Sequence, residues 1–236
     1  MKRKPSKKPE NWVVTFPDPD TADPDSGLLA VGADFQVPIL VQAYRQGIFP
    51  WPMPVGELTA EEAPPLWFCP AERALLFFDE VHIPRSLAKA RRQSPLRFTV
   101  DLAFEEVITA CSEAPRPGQD GTWITTRMRE AYIELHRAGH AHSFEAWRGD
   151  RLVAGLYGVD AGGAFAGESM FHREDNASKL VILHAIEHLA ARGARWLDIQ
   201  VLTPHMERLG AREIPRAEYL SLLKQTQAQG LILFSK

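Results

Sequence analysis

Two strand-like stretches joined by a two-residue turn restrict this chain more than any other part of it. Residues 142–148 and 151–159 are rich in apolar, β-branched and aromatic side chains, and Gly149-Asp150 between them is a tight hairpin signal. A second glycine-rich turn, Gly162-Gly163, leads into a third stretch at 164–171. A helical pattern then spans about 177–192 and stops at Gly193, and a short apolar strand follows at 196–202. Hairpin, strand, helix, strand is the order of an antiparallel sheet that turns parallel around one crossover helix.

The rest of the chain arranges itself around this unit. Pro38 opens a helix with Ile39, Leu40, Ala43 and Tyr44 on one side, ended by Gly47. Prolines at 50, 52 and 54 keep the next segment stiff and extended. Strands are predicted at 66–68, 73–78, 97–100 and 231–234. Helices are predicted at 84–93, 102–111, 126–138, 204–209 and 215–227, while 27–34 reads as a small-residue loop. The expected fold class is α+β. Residues 1–65 form a small N-terminal α/β domain with a basic tail, and 66–236 form a catalytic domain with a mixed, mostly antiparallel sheet flanked by helices. That order suits the acetyltransferase-like architecture of the acetyl-CoA-dependent N-acetyltransferases. At 236 residues with 45% hydrophobic content the chain can build a substantial core, and a formal net charge of −3 means that any nucleic-acid site is a local patch. Cys69 and Cys111 have no metal or redox spacing and read as reduced thiols of a cytoplasmic protein. No apolar run is long enough to cross a membrane.

Chemistry concentrates on the strand at 196–202. Alternation puts Trp196, Asp198 and Gln200 on one buried face, where an acid and an amide are costly unless satisfied, so a substrate is expected there. Glu168, in Gly167-Glu168-Ser169-Met170-Phe171, shares a strand face with Met170 and Ala166. Trp51 and Trp123 stand beside turn-forming residues, outside any periodic pattern. Arg85, Lys89 and Arg92 form a basic stripe on one helix, and together these would suit stacking and phosphate contact at a single-stranded nucleic-acid end. His184, Glu187 and His188 match a zinc-peptidase spacing, but helical phase puts them on a solvated stripe, so no metal is expected.

Many short motifs then agree in order. Gly27-Leu-Leu-Ala, Tyr44-Arg-Gln-Gly-Ile-Phe-Pro-Trp51, Gly121-Thr-Trp-Ile-Thr125, Gly139-His-Ala-His-Ser143, Gly155-Leu-Tyr-Gly158, Gly167-Glu-Ser-Met-Phe171, Asn176-Ala-Ser-Lys179, Asp198-Ile-Gln200-Val-Leu and Leu209-Gly-Ala-Arg-Glu-Ile-Pro215 resemble the bacterial leucyl/phenylalanyl-tRNA–protein transferases, from about residue 16 to 223. The resemblance implies transfer of Leu or Phe, with Met as a further donor, from aminoacyl-tRNA to the N-terminal Arg or Lys of an acceptor protein, marking it for degradation. It implies Asp198, Gln200 and Glu168 as catalytic residues. Trp51 and Trp123, with Tyr44 and Tyr132 nearby, would hold the aminoacyl-adenosine, and Arg85, Lys89 and Arg92 would meet tRNA phosphates. The side-chain pocket would comprise Leu156, Phe165, Met170, Ile182, Ala185 and Leu189. Leu156, Ala185 and Leu189 depart from the family pattern, as does Cys69. A cytoplasmic monomer without cofactors is the expected form.

An aminoacyl ester is already activated, so the reaction calls for no ATP, CoA or metal. The attacking α-amine has a pKa of about 8 and is only roughly one-tenth neutral at pH 7. Gln200 can orient the amine through its carbonyl, while Asp198 polarises that amide or takes the proton through water. Glu168 and Asp198 would also supply negative charge toward a basic acceptor. The rivals are a CoA-dependent N-acetyltransferase, disfavoured because the turn at 172–176 carries two acids and no glycine, and a non-catalytic tRNA-end binder, which has no use for the three polar residues together.

Overall fold

The computed structural model describes residues 15–114 and 123–234. The basic start of the chain and the Gly121-Thr122 end of one motif lie outside them. Ten strands form two sheets among these residues. The smaller is antiparallel, with β1 (Leu28–Val31) and β2 (Phe49–Pro50) on either side of β3 (Leu66–Phe68). Helix α1 (Val37–Arg45) connects β1 to β2 and buries Ile39, Leu40, Ala43 and Tyr44, the predicted side. The 27–34 segment, expected as a loop, therefore contains a strand. The expected division at 65/66 would part β3 from both of its partners, so Leu66–Phe68 goes with the N-terminal sheet.

The larger sheet has seven strands in the order β10-β4-β9-β8-β7-β6-β5. They are β4 (Glu72–Phe77), β5 (Arg97–Val100), β6 (Ala141–Arg148), β7 (Arg151–Asp160), β8 (Phe165–His172), β9 (Trp196–Gln200) and β10 (Arg212–Pro215). All neighbours pair antiparallel except β8 and β9, which run parallel across α5 (Ala177–Ala190). The predicted change from antiparallel to parallel occurs where the crossover helix requires it. Helices α3 (Phe104–Glu113), α4 (Thr126–Arg137) and α7 (Arg216–Gln227) contribute to one core with the small sheet; α5, with Leu87 of α2 (Arg85–Gln93) and Met206 of α6 (Pro204–Glu207), forms the other.

One expected strand is absent and another, not expected, is present. Residues 231–234 form no strand; instead Leu233 is fully buried and Phe234 stacks on His142. The seventh strand is β10, a short edge strand whose charged residues and terminal proline give no period-2 signal. The histidines of α5 also leave their expected solvated stripe. His184 packs between Phe98 and Phe144, and His188 Nε2 meets the Leu233 carbonyl at 3.0 Å.

Two local features set up the site. Strands β8 and β9 pair only at Phe165 with Leu197 and Ala166 with Asp198, then part, leaving a cleft between them. The β7–β8 ladder also slips, since Tyr157 faces Ser169 while the next residue, Gly158, faces Gly167. Glu168 is the extra residue of that bulge. The close approach explains Gly158, where a Cβ would stand 2.2 Å from the Ala166 carbonyl oxygen. The bulge also breaks the alternation expected along β8: Ala166 joins the core under α3 and α4, whereas Met170 packs against the core under α5.

Candidate active site

The cleft is a cavity of about 460 Å³. Its walls include Leu156, Met170, Ile182, Leu197, Ile199 and Met206, and Glu168, Ser169, Ser178 and His205 add polar groups. Size and lining suit one apolar side chain held beside a reacting polar end. Of the six residues expected around such a pocket, Leu156, Met170 and Ile182 line it. Phe165, Ala185 and Leu189 do not: all three are fully buried in the core behind it. Alternation on β8 and the 3.6-residue period of α5 turn them into the sheet–helix interface. Ala185 therefore does not widen the cavity directly.

Glu168 stands at the polar end, half-buried. Gln200 Nε2 donates to its Oε1 at 2.7 Å, and the Tyr132 hydroxyl approaches its Oε2 at 3.4 Å. The Tyr44 and Tyr132 hydroxyls share a hydrogen bond. Both tyrosines are buried, so they belong to the Glu168 network and offer no open stacking face for a nucleoside. Burial pushes the Glu168 carboxyl up to about 8. The Asp198 charge adds to the rise, while hydrogen bonds from Tyr44 and Tyr132 and the Arg73 charge oppose it. Burial and the same carboxylate raise the Tyr44 and Tyr132 pKa values, keeping both hydroxyls protonated.

Asp198 does not face the cleft as an available base. Arg73 Nε donates to Oδ1 at 2.9 Å and Arg73 Nη2 to Oδ2 at 2.7 Å; the Tyr219 hydroxyl donates to Oδ2 at 2.9 Å and the Gln200 backbone N–H to Oδ1 at 2.9 Å. Four donors occupy the carboxylate, and Asp198 and Arg73 are only 2% and 1% exposed. The lone pairs and charge of Asp198 are thus engaged within the protein rather than turned to the cleft. The contacts differ from the two arrangements expected for Asp198. Asp198 grips the Gln200 backbone rather than its side-chain amide, and its charge is matched by Arg73 rather than offered to a basic acceptor. Burial disfavours the Arg73 charge, but Asp198 outweighs it and holds the guanidinium above its ordinary range.

Gln200 closes β9 with φ +57°, a left-handed conformation rare for a residue with a Cβ. Its carboxamide N–H is committed to Glu168, which leaves the carboxamide oxygen as an acceptor. The tryptophans lie on the Arg73 side of this network. Trp51 and Trp123 have ring centroids 6.3 Å apart and planes inclined by 49°. Phe49 touches Trp51 at 6.2 Å and lies beneath the Arg73 guanidinium at 4.6 Å. Trp123 shortly precedes α4, whose start is held by Glu61, which accepts from the backbone N–H groups of Thr126 and Arg127.

Comparison with known proteins gives this geometry a family. The sequence pattern of the leucyl/phenylalanyl-tRNA protein transferases matches residues 75–224, and that of their N-terminal domain matches residues 33–71. The chain belongs to the leucyl/phenylalanyl-tRNA protein transferase family. A relative named leucyl/phenylalanyl-tRNA--protein transferase from Anaeromyxobacter sp. (strain Fw109-5) is 51% identical over 210 residues, covering 89% of this chain and 86% of the relative. A relative of the same name from Shewanella sp. (strain W3-18-1) is 46% identical over 211 residues, 89% of this chain and 86% of its own. Among solved structures, that of L-PGS from Bacillus licheniformis aligns with a TM-score of 0.39 at 10% identity, over 64% of this chain and 45% of the other.

Three groups of this site carry little signal in the sequence. Arg73 sits in a strand whose next four residues are apolar, and it is 125 residues from its partner Asp198. A lone arginine in such a strand, together with an aspartate on a buried one, was the available signal. Tyr219 gives no signal beyond its place on the apolar side of α7. Glu61 is one acid in an irregular acidic segment. The basic stripe is where α2 puts it: Arg85, Lys89 and Arg92 are all exposed, and none is in an ion pair among the described residues, whereas the adjacent Arg91 pairs with Glu187 of α5.

Proposed function

We propose that this chain transfers leucine or phenylalanine, and also methionine, from aminoacyl-tRNA to the α-amine of a protein that begins with Arg or Lys. The observation that carries the reading is the Gln200–Glu168 hydrogen bond at the rim of an apolar cavity with room for such a side chain. Trp51 and Trp123 hold the terminal adenosine, and Arg85, Lys89 and Arg92 meet the phosphates of the tRNA body. The catalytic portion is acetyltransferase-like, with the parting of β8 and β9 as its acyl cleft. The N-terminal portion, β3 included, forms the nucleoside side. The product carries a degradation signal, and the enzyme acts as a cytoplasmic monomer.

Glu168 is the base. A carboxyl poised near 8 matches an α-amine whose own pKa is about 8. The neutral amine attacks the ester carbonyl, the new C–N bond forms, and Glu168 takes the proton leaving nitrogen. The C–O bond to the ribose then breaks and Glu168 returns that proton to the departing oxygen. Gln200 orients the amine with its free carbonyl and fixes Glu168 with its N–H. The test mixes labelled Leu-tRNA or Phe-tRNA with an Arg-starting peptide, without ATP, CoA or added metal. Label in the peptide is expected. Retention of label on tRNA that still binds the protein would replace transfer with RNA-end binding.

A further inference from the structure

The strained residue of the site is held from a distance, through one carboxylate. Gln200 adopts φ +57° at the centre of a turn closed by the Val201 N–H on the Ile199 carbonyl at 2.6 Å, and its own backbone N–H donates to Asp198 Oδ1 at 2.9 Å. Asp198 can serve as a fixed acceptor only because its own position is over-determined. Arg73 grips both carboxylate oxygens from β4, and Tyr219 holds Oδ2 from α7. Arg73 is itself anchored on three sides. Its Nη1 donates to the Gly47 carbonyl at 3.2 Å, and its guanidinium lies 4.6 Å from the Phe49 ring centre and 4.5 Å from that of Tyr219. Gly47 belongs to this clamp, since a Cβ there would stand 2.8 Å from both Tyr219 and Leu220. The chain of contacts therefore runs from the N-terminal portion through Arg73 and Asp198 to the Gln200 backbone, and from the Gln200 carboxamide to Glu168.

We infer that Arg73 and Tyr219 are positioning residues for aminoacyl transfer, acting through Asp198 to lock Gln200 in its left-handed conformation and so to aim its carboxamide at Glu168. This rests on the transferase reading above. Strain of this kind persists only where the surroundings impose it, and a bidentate arginine–carboxylate pair supplies a rigid fork that lysine lacks. The pair has an electrostatic consequence as well. The groups facing Glu168 are Tyr44 from α1, Tyr132 from α4, Arg73 from β4, and Asp198 and Gln200 from β9. Among them only Arg73 and Asp198 carry full charges, and they act on Glu168 with opposite sign.

The test uses the full chain, Leu-tRNA and an Arg-starting peptide, with wild-type transfer measured first. No transfer by wild type overturns the transferase reading itself; the variants address the clamp only where wild type is active. Arg73→Lys keeps the charge and loses the fork, and should lower kcat by about 30-fold or more with KM for the aminoacyl-tRNA unchanged. Tyr219→Phe removes one donor and keeps the ion pair, so it folds even where Arg73→Lys does not; a kcat lowered about 3–10-fold is expected. The pH profile separates positioning from plain structural support. Asp198→Asn should move the rise in kcat/KM to lower pH, because the charge that raises Glu168 is gone. Arg73→Met/Asp198→Asn should bring the rise back toward wild type while kcat stays low. Wild-type kcat in fully folded Tyr219→Phe, or an unmoved pH profile in active Asp198→Asn, would overturn the inference.

Discussion

Glu168 takes its character from where it sits, and its behaviour is measurable on the single residue. Its carboxyl is held near 8 mainly by burial, against an ordinary value of 4.5. In the proposed role of base it must lose its proton, and so must the acceptor amine. Below pH 8 the logarithm of kcat/KM for the acceptor peptide should therefore climb with a slope approaching 2. Glu168→Gln should leave only the amine, giving a slope of 1 and a kcat lower by roughly 10²–10⁴. An unchanged slope would take the role away from Glu168. The same ionisation bears on stability. A carboxyl whose folded pKa is raised binds its proton more tightly when folded, so its contribution is complete below about 4.5 and is lost as pH rises through about 8. Urea midpoints of the wild type should decline across that window, and those of Glu168→Gln should decline less. Asp198 and Gln200 were legible from the sequence because a polar pair on a buried strand is conspicuous. What Asp198 does was not legible, because its partners Arg73 and Tyr219 come from elements 125 and 21 residues away.

At the scale of elements, the bulge in β8 decides where Glu168 points. Without it, strict alternation would continue from Phe165 to His172, and the acid would take another direction. Gly158 makes room for it on β7. Gly158→Ala must displace the Ala166 carbonyl or the Phe165 ring, both closer than 3 Å to the added carbon. A cost of about 1–3 kcal/mol is expected, with a fall in single-turnover rate of at least tenfold because the bulge shifts. Gly149→Ala is the control. Its φ of +59° makes an added Cβ costly through the backbone alone, but no atom lies within 4 Å of the added carbon and the hairpin tip is away from the cleft, so the rate should hold. Equal rate losses in the two variants would reduce the bulge to a matter of stability. The hairpin itself was read correctly from Gly149-Asp150, because turn chemistry is local. The bulge was not, because it depends on the register between two strands, and the same limitation hid β10, whose pairing with β4 supplies what its own pattern lacks.

Over the whole molecule, charge separates the proposed chemistry from the proposed grip on nucleic acid. The formal net charge is −3, so a polyanion gains nothing from the protein at long range and must find a local positive surface. Helix α2 provides one. Of its nine residues only Leu87 is buried, and Arg85, Lys89 and Arg92 project from it into solvent without acidic partners among the described residues. These three side chains are the proposed contacts to tRNA phosphates. Reversal of all three charges, Arg85→Glu/Lys89→Glu/Arg92→Glu, should leave the urea midpoint within about 1 kcal/mol of wild type, since surface charges away from a network contribute little. Affinity for Leu-tRNA should drop, and the slope of log affinity against log salt should flatten by roughly 2–3, one phosphate contact being lost per residue. The same variant should transfer leucine from a minimal donor, an aminoacyl-adenosine with no tRNA body, at the wild-type rate, because Glu168, Gln200 and the tryptophan pair are untouched. An unaltered salt slope would return α2 to an ordinary solvated surface, and a lost rate on the minimal donor would mean that α2 acts on the cleft itself.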